Sequence, residues 1–260
     1  GEPHPMLGDI EGFKVQRFSV DEFDAQSRFQ NIDKVIHVGV TTNRDPVLET
    51  AWLQALADER GLPSGIVARC DLRSDDAASV LDAHCAYPNV RGIRDNGQPG
   101  SFADPRWRQG YARLAALDLV FCHQVGVERL DEALALLGEY PSVKFCLDHS
   151  AMPRERSGEY FQRWSRAIRQ IAAYPQVSCK VSALGSADRR WTIDSIRPWV
   201  LELIDAFGVD RCFFGSNFPV DGIFSTYSDL IEAFRCVVAD FTREEQAKLL
   251  HLNANRIFRV

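Results

Sequence analysis

The sequence predicts an α/β fold, a (β/α)8 TIM-like barrel. Short, continuously apolar segments alternate with segments that carry the start and stop signals of helices. Continuous apolar strands between helices are typical of a parallel sheet covered on both faces. Successive strands start roughly 25 to 34 residues apart, which is the length of one βα unit. No linker, charge run or low-complexity segment interrupts this order, so residues 1–260 are predicted to form a single barrel domain.

Each element has its own local signal. Ser19 and Glu22 have the spacing of a capping box, which predicts a helix at 19–29. Asp45 and Pro46 suit the N-cap and first position of the next helix, which ends before Gly61. The predicted strands lie at 34–40, 65–70, 90–94, 117–122, 143–147, 177–181 and 211–214. The helices after the first strand lie at 45–60, 75–85, 105–116, 128–137, 158–173, 193–207 and 227–238, and a last helix begins at a second capping box at 242–245.

The number of strands leaves one position of the barrel unfilled. A barrel of this type has eight strands, and the sequence supplies seven. The helix at 19–29 has no strand before it. We therefore expect the first strand to be the one absent from this sequence.

Composition narrows the class of protein and of partner. The chain is 45% hydrophobic and 25% charged, as in ordinary globular proteins. The net charge of -6 and the lack of a basic stripe argue against a nucleic-acid partner, and no apolar run approaches the ~20 residues of a membrane span. An odd count of seven cysteines, most of them in predicted strands, favours a reducing cytoplasm. Composition does not determine whether the protein is a monomer or a homo-oligomer.

Polar residues stand at the carboxyl ends of the predicted strands, where a barrel places its chemistry. They include Asn217 and Asp221 after the last strand, in the segment 211–221 around which the rest of the chain is organised. His37, inside a strand, is interpreted as structural, and His84 as a helix-surface residue. The full set of strand-end candidates is Thr41, Thr42, Asp71, Arg94, Asp95, His123, Asp148, His149, Lys180, Ser182, Asn217 and Asp221. Two histidines with carboxylates, an arginine and a lysine suit acid–base or metal chemistry.

Several segments resemble the amidohydrolase-related (amidohydrolase 2) family of TIM barrels, which includes 2-pyrone-4,6-dicarboxylate lactonase and sugar lactonases. The Asp148-His149 pair and the run from Asn217 to Asp221 are the most specific of them. The others are 45–53, 90–94, 118–123, 179–185 and 253–258. The resemblance covers nearly the whole chain and implies a metal-dependent-hydrolase-like barrel that opens a small lactone or a related ester or amide.

The resemblance also implies roles for single residues. His123 and His149 match family histidines that bind a divalent metal such as zinc or polarise a carbonyl. Arg94 matches an arginine that holds a substrate carboxylate, and Lys180 and Thr41 are further substrate-binding candidates. Either His149 or Asp221 would activate water. Asn217 stands where many members have an aspartate, and an amide can orient substrate but is neither a base nor a good metal ligand.

Two departures keep other functions open. The chain lacks the His-x-His of the family's first strand as well as the aspartate at position 217. A decarboxylase of the same superfamily is one alternative, and a barrel that binds a ligand without catalysis is the other. No Gly-x-Ser-x-Gly, phosphate loop or Gly-x-Gly-x-x-Gly is found, so serine-hydrolase and nucleotide-binding functions have no support.

Overall fold

Seven strands form one parallel sheet in which the order of the strands follows the order of the chain. The computed structural model describes residues 16–40, 45–95, 100–186 and 188–260. Within these residues β1 and β7 lie at the two ends of the sheet. The strands are β1 Ile36–Val38, β2 Gly65–Arg69, β3 Val90–Arg94, β4 Val120–His123, β5 Phe145–Leu147, β6 Val177–Val181 and β7 Cys212–Phe214. The α/β barrel-type fold predicted from the sequence is confirmed.

Helices connect the strands in the right places for parallel crossovers. They are α1 Val20–Ser27, α2 Val47–Arg60, α3 Ala77–Cys85, α4 Pro105–Ala116, α5 Leu130–Glu139, α6 Gly158–Ala172, α7 Ile193–Phe207, α8 Tyr227–Val237, α9 Arg243–Ala247 and α10 Asn253–Phe258. The predicted capping box at Thr242 and Glu245 is present, since the Glu245 carboxylate accepts the Thr242 N–H at 2.9 Å. The Asp45 carboxylate accepts the Val47 N–H at 2.9 Å, but α2 begins at Val47 with Pro46 at the N-cap, one residue later than predicted. The terminal helix is interrupted by a π-helical turn at Lys248–Leu252, which the capping signal did not predict.

The two faces of the sheet bury different side chains. The outer face packs under the helices in one large core that contains Trp107, Trp164 and Phe121. The inner face carries a small cluster of Val67, Val120, Cys122, Cys146, Phe213 and Phe258. All seven cysteines are free and five of them are buried, as expected for small apolar residues in strands.

Arg211 joins four carbonyl groups at the amino end of β7. Its guanidinium donates to the carbonyl oxygens of Ala172 at 2.8 Å, Tyr174 at 3.0 Å, Val177 at 3.2 Å and Phe207 at 3.0 Å. Ala172 and Phe207 end α6 and α7, Val177 begins β6, and Tyr174 lies in the turn between α6 and β6. A charged donor therefore satisfies the helix ends at the edge of the sheet opposite the candidate site.

The prediction for His84 is wrong in one respect. The residue lies on α3 but is fully buried. Its Nδ1 lies 3.0 Å from Thr50 Oγ1 and its Nε2 lies 2.9 Å from the Arg69 carbonyl oxygen. Both ring nitrogens are used in holding α2, α3 and β2 together, so His84 is structural without being on the surface.

No helix among the described residues has the length and apolar content needed to cross a membrane. The single-domain assignment of residues 1–260 stays a prediction.

Candidate active site

The carboxyl ends of the strands carry the polar side chains at one edge of the sheet. Arg94, His149, Lys180 and Asn217 each keep part of their surface exposed although the strands that lead to them are buried. Partial exposure at the ends of buried strands is what a binding mouth requires, because substrate must reach the side chains while the backbone stays rigid.

A buried ion pair lies inside this mouth. Lys180 Nζ is 3.0 Å from Asp148 Oδ1, and the two side chains are 13% and 0% exposed. Burial alone would raise the pKa of Asp148, but the ammonium group of Lys180 lowers it below its ordinary value. Burial alone would lower the pKa of Lys180, but the carboxylate of Asp148 raises it above its ordinary value. Both groups are therefore charged, and Asp148 Oδ2 is buried without a protein partner among the described residues.

His149 and Arg94 lie next to this pair. Arg94 Nη2 is 3.5 Å from His149 Nε2, a long hydrogen bond, and Arg94 Nε is buried without a partner among the described residues. Burial, reinforced by the cationic Lys180 and Arg94, lowers the pKa of His149 to about 3. His149 is thus neutral in the free protein. Since a guanidinium can only donate, the Nε2 atom that faces it carries the lone pair.

The backbone that carries His149 is unusual. His149, Ser150, Ala151 and Met152 have φ values of 56°, 56°, 58° and 50°, so four successive non-glycine residues are left-handed. Such a conformation costs about 1–2 kcal/mol for each residue. Strain of this size is retained where the surrounding structure fixes it, and it is common at functional sites. The left-handed turn, residues 149–152, directs the His149 ring into the mouth.

Asn217 and Asp221 form a second polar pair after β7. Asn217 Nδ2 donates to Asp221 Oδ1 at 2.8 Å, and Asp221 is 2% exposed. Burial raises the pKa of Asp221 to about 7, and the hydrogen bond from Asn217 opposes the rise. Asn217 has φ 54°, a left-handed conformation that asparagine tolerates well. The pair leaves one amide hydrogen and the amide oxygen of Asn217 available to a ligand.

His123 is more enclosed than the sequence suggested. It is 3% exposed, its ring stacks on Phe121 at 5.6 Å, and it contacts Phe102. Its Nδ1 is 2.7 Å from the Asp95 carbonyl oxygen, so the proton lies on Nδ1 and the lone pair on Nε2. That Nε2 has no partner among the described residues. Burial lowers the pKa of His123 to about 4, so the ring is neutral.

The structure brings only some of the predicted site residues into contact. Arg94, His149 and Lys180 belong to one cluster together with Asp148. Asn217 and Asp221 contact each other, and no hydrogen bond between the described residues links them to that cluster. His123 packs on Phe102 and Phe121 and forms no hydrogen bond with that cluster, although the charges of Asp148 and Arg94 act on its pKa. Thr41 lies outside the described residues.

A resident catalytic zinc ion takes about three protein ligands. Among the described residues, the group of three potential ligands whose atoms lie within 4.8 Å of one another is Cys122, Cys146 and Asp148, without either histidine. Burial raises the pKa of Cys146 well above its ordinary value, so the thiol is protonated in the free protein. Lys180 pairs with Asp148 Oδ1, and Arg94 faces His149 Nε2. The described residues therefore do not fit a zinc site built on His123 and His149.

Sequence reasoning missed the residues that hold His149. Ser182 Oγ lies 3.0 Å from His149 Nδ1, and Trp164 Nε1 donates to the Ser150 carbonyl oxygen at 2.9 Å. Ser182 was noted as a strand-end residue without a role. No sequence signal marks four left-handed non-glycine residues, so Ser150 and Trp164 could not have been selected.

Fold and site together define a barrel-type enzyme whose polar mouth lies at the carboxyl ends of parallel strands. Comparison with known proteins identifies the family, since residues 5–260 match the model of the amidohydrolase family. An uncharacterized protein of Sinorhizobium fredii, y4mH, is 38% identical over 291 residues, covering 100% of this chain and 98% of that protein. The chain belongs to the amidohydrolase family and is a hydrolase.

Two further similarities concern named activities and a bound ion. An L-fucono-1,5-lactonase of Burkholderia multivorans is 28% identical over 242 residues, with coverage of 87% of this chain and 80% of that protein. The crystal structure of an amidohydrolase from Burkholderia multivorans with bound zinc has a TM-score of 0.88 and 25% identity, and the alignment covers 98% of this chain and 93% of that one. The barrel architecture expected from the sequence is the architecture of these relatives.

Proposed function

We propose that this hydrolase opens a small lactone that is carboxylated or derived from a sugar. One observation carries the proposal: the Arg94 guanidinium reaches the mouth, hydrogen-bonds only weakly to His149, and has no carboxylate partner among the described residues. A partly buried guanidinium that forms no ion pair among the described residues is suited to bind the carboxylate or the polarised carbonyl of a substrate. The lactonase activity named for the relative supports this class of substrate.

In the proposed mechanism His149 moves the proton. A water molecule gives its proton to His149 Nε2 while its oxygen attacks the lactone carbonyl carbon. The C–O bond of the ring then breaks, and the protonated imidazole returns the proton to the departing alkoxide. Arg94 stabilises the negative charge on the carbonyl oxygen or anchors a substrate carboxylate.

Substrate binding itself would prepare His149 for this role. The cation of Arg94 helps to hold the pKa of His149 low in the free protein. An anion bound to Arg94 offsets that cation, and the pKa of His149 rises toward the range of a useful base. Lys180 keeps Asp148 charged on the other side, and Asn217 orients the carbonyl group or the water by hydrogen bonds.

Asp221 is the alternative base. Its pKa of about 7 suits proton transfer at neutral pH better than that of free His149. Its 2% exposure and its hydrogen bond to Asn217 limit access of water. We therefore assign proton transfer to His149 and assign to Asp221 the orientation of Asn217.

The test compares His149→Asn with His251→Asn, a control on an exposed histidine whose Nδ1 lies 3.2 Å from Asn255 Nδ2. With a panel of aldonolactones, the His149 variant is expected to lose at least about 100-fold in kcat, the scale of general base catalysis, while His251→Asn keeps full activity. Arg94→Gln is expected to raise KM for carboxylated lactones more than for neutral ones. Unchanged kinetics in His149→Asn would refute its role.

The same assay decides two remaining points. Because the described residues do not supply three zinc ligands that include the histidines, activity is expected to survive treatment with a chelator. Chelator-sensitive activity with stoichiometric metal would instead show that His123 and His149 hold zinc with ligands outside the described residues. Release of carbon dioxide without ring opening would favour a decarboxylase, and the absence of any turnover would favour a ligand-binding barrel.

We place the protein in the cytoplasm, acting on a small molecule.

A further inference from the structure

The left-handed turn is held by a small set of buried serine contacts. Ser150 and Ser182 are both 0% exposed. Ser150 Oγ donates to the Ser182 carbonyl oxygen at 3.2 Å, and the Ser182 N–H donates back to Ser150 Oγ at 3.3 Å. Trp164 Nε1 donates to the Ser150 carbonyl oxygen at 2.9 Å. The turn is thus tied to the end of β6 and to α6, which explains how four strained residues persist.

Ser182 also contacts the ring nitrogen of His149 that carries the proton. His149 Nε2 faces the donor-only guanidinium of Arg94 at 3.5 Å, so the lone pair lies on Nε2. The proton then lies on Nδ1, which is 3.0 Å from Ser182 Oγ. Ser182 Oγ is therefore the acceptor of the Nδ1–H group. A partner on the second ring nitrogen is the usual way to fix the tautomer of a functional histidine.

We propose that Ser182 is a positioning residue that fixes both the tautomer and the direction of His149. Its hydroxyl group accepts the Nδ1–H group, and its backbone holds the left-handed turn through Ser150. Together these contacts keep the Nε2 lone pair pointed into the mouth. The link to turnover depends on the proton-transfer role that the proposed function gives to His149, whereas the link to the tautomer does not.

Without the hydroxyl group, the buried Nδ1–H group would have no acceptor. The alternative tautomer would bring Nε2–H against the N–H groups of Arg94, which also only donate. Neither tautomer is then satisfied, so the ring is expected to sample both and to change its orientation. The Nε2 lone pair would be available to water for only part of the time.

The experiment measures the tautomer directly by ¹⁵N NMR of histidine-labelled protein, with the His149 signals assigned from their loss in His149→Asn. In the unchanged protein we expect a protonated Nδ1 and an unprotonated Nε2 at neutral pH. In Ser182→Ala we expect the two nitrogens to shift toward averaged positions, together with a fall in kcat of at least 10-fold and a change in KM below 3-fold. Ser182→Thr keeps the hydroxyl group and is expected to restore the original signals.

The matched control is Ser178→Ala. Ser178 is also a buried serine on β6, and its hydroxyl group donates to the Phe145 carbonyl oxygen at 3.3 Å without contacting His149. Unaltered His149 signals in folded Ser182→Ala, or equal effects of Ser178→Ala, would overturn the proposal. If the unchanged protein opens no lactone, the proposed function fails, yet the NMR comparison still decides whether Ser182 fixes His149.

Discussion

At the scale of single residues, the buried pair of Asp148 and Lys180 dominates the electrostatics of the mouth. Two opposite charges at 3.0 Å with little exposure depend on each other for their charged states. The strand-end position of both residues could be predicted from the sequence. Their pairing could not, because it depends on the register of β5 and β6, which places Cys146 opposite Ser178 and Leu147 opposite Cys179.

Lys180→Met is expected to destabilise the protein by about 3–5 kcal/mol, because removal of one partner leaves a buried charge uncompensated. Asp148 would then take up a proton at higher pH than before. Urea denaturation gives the free energy of unfolding, and the double variant Lys180→Met with Asp148→Asn is expected to recover most of the loss.

Lys144→Met serves as the control for this prediction. Lys144 pairs with Asp118, but the two side chains are 49% and 57% exposed. An exposed pair contributes little, so the expected loss is below about 1 kcal/mol. Equal effects of Lys180→Met and Lys144→Met would contradict the view that burial makes the inner pair important.

Asp221 gives a pH dependence of stability. Its folded pKa of about 7 lies above the ordinary 3.8, so it stays protonated in the folded chain where the unfolded chain has already ionised. Stability is therefore lost as the pH rises from about 4 to about 7. The full cost, up to about 4 kcal/mol, is present above that range.

Asp221→Asn removes this titration while keeping an oxygen that can accept the Asn217 amide hydrogen. The variant is expected to match the unchanged protein in stability near pH 4 and to exceed it at pH 8, as measured by urea denaturation at both pH values. A stability difference independent of pH would be inconsistent with a buried, protonated Asp221. A fall in kcat/KM of the unchanged protein below pH 7, together with loss of turnover in this variant, would make Asp221, and not His149, the base.

At the scale of elements, the sequence signals located helices better than strand ends. The helix at 105–116 and the helix at 193–207 have the predicted bounds, because Pro105, Thr192 and Gly208 mark their ends with local chemistry. The predicted strand at 34–40 shortens to Ile36–Val38. Apolar composition continues past the last residue that pairs with a neighbour, so composition alone does not show where pairing stops.

Gly215, just after β7, makes room for Lys180. A Cβ atom at this position would lie 2.9 Å from Lys180 Cδ and 3.0 Å from its Cγ. Gly215→Ala is expected to displace the stem of Lys180, to separate its ammonium group from Asp148, and to destabilise the protein by about 1–3 kcal/mol. Thermal unfolding measures the loss of stability, and the lactone assay measures the effect of the displaced Lys180 on turnover.

Gly158→Ala is the control for Gly215→Ala. Gly158 begins α6, and an added Cβ atom would meet nothing within 4 Å. This variant is expected to be as stable as the unchanged protein or slightly more stable. If Gly215→Ala were equally harmless, Lys180 would not depend on that space.

At the scale of the whole molecule, the fold followed from the alternation of strands and helices, and the site followed from it only in part. The expectation that functional side chains lie at the carboxyl ends of strands selected Arg94, His149 and Lys180, which do meet in one cluster. The same expectation also selected His123, whose ring instead packs on Phe121 among the outer-face aromatic residues. Strand ends are read from the order of residues, whereas the direction of a side chain depends on the local twist and on its neighbours.

The contacts of Arg211 lie at the end of the sheet farthest from the mouth. They join the ends of α6 and α7 to the start of β6 through carbonyl groups, which every residue type provides. The residues that supply these carbonyl groups can therefore change their side chains without loss of the hydrogen bonds from Arg211. Substrate preference can be altered at the opposite rim while the scaffold is inherited unchanged, and this separation makes the chain a good starting point for directed evolution of new ring-opening specificities.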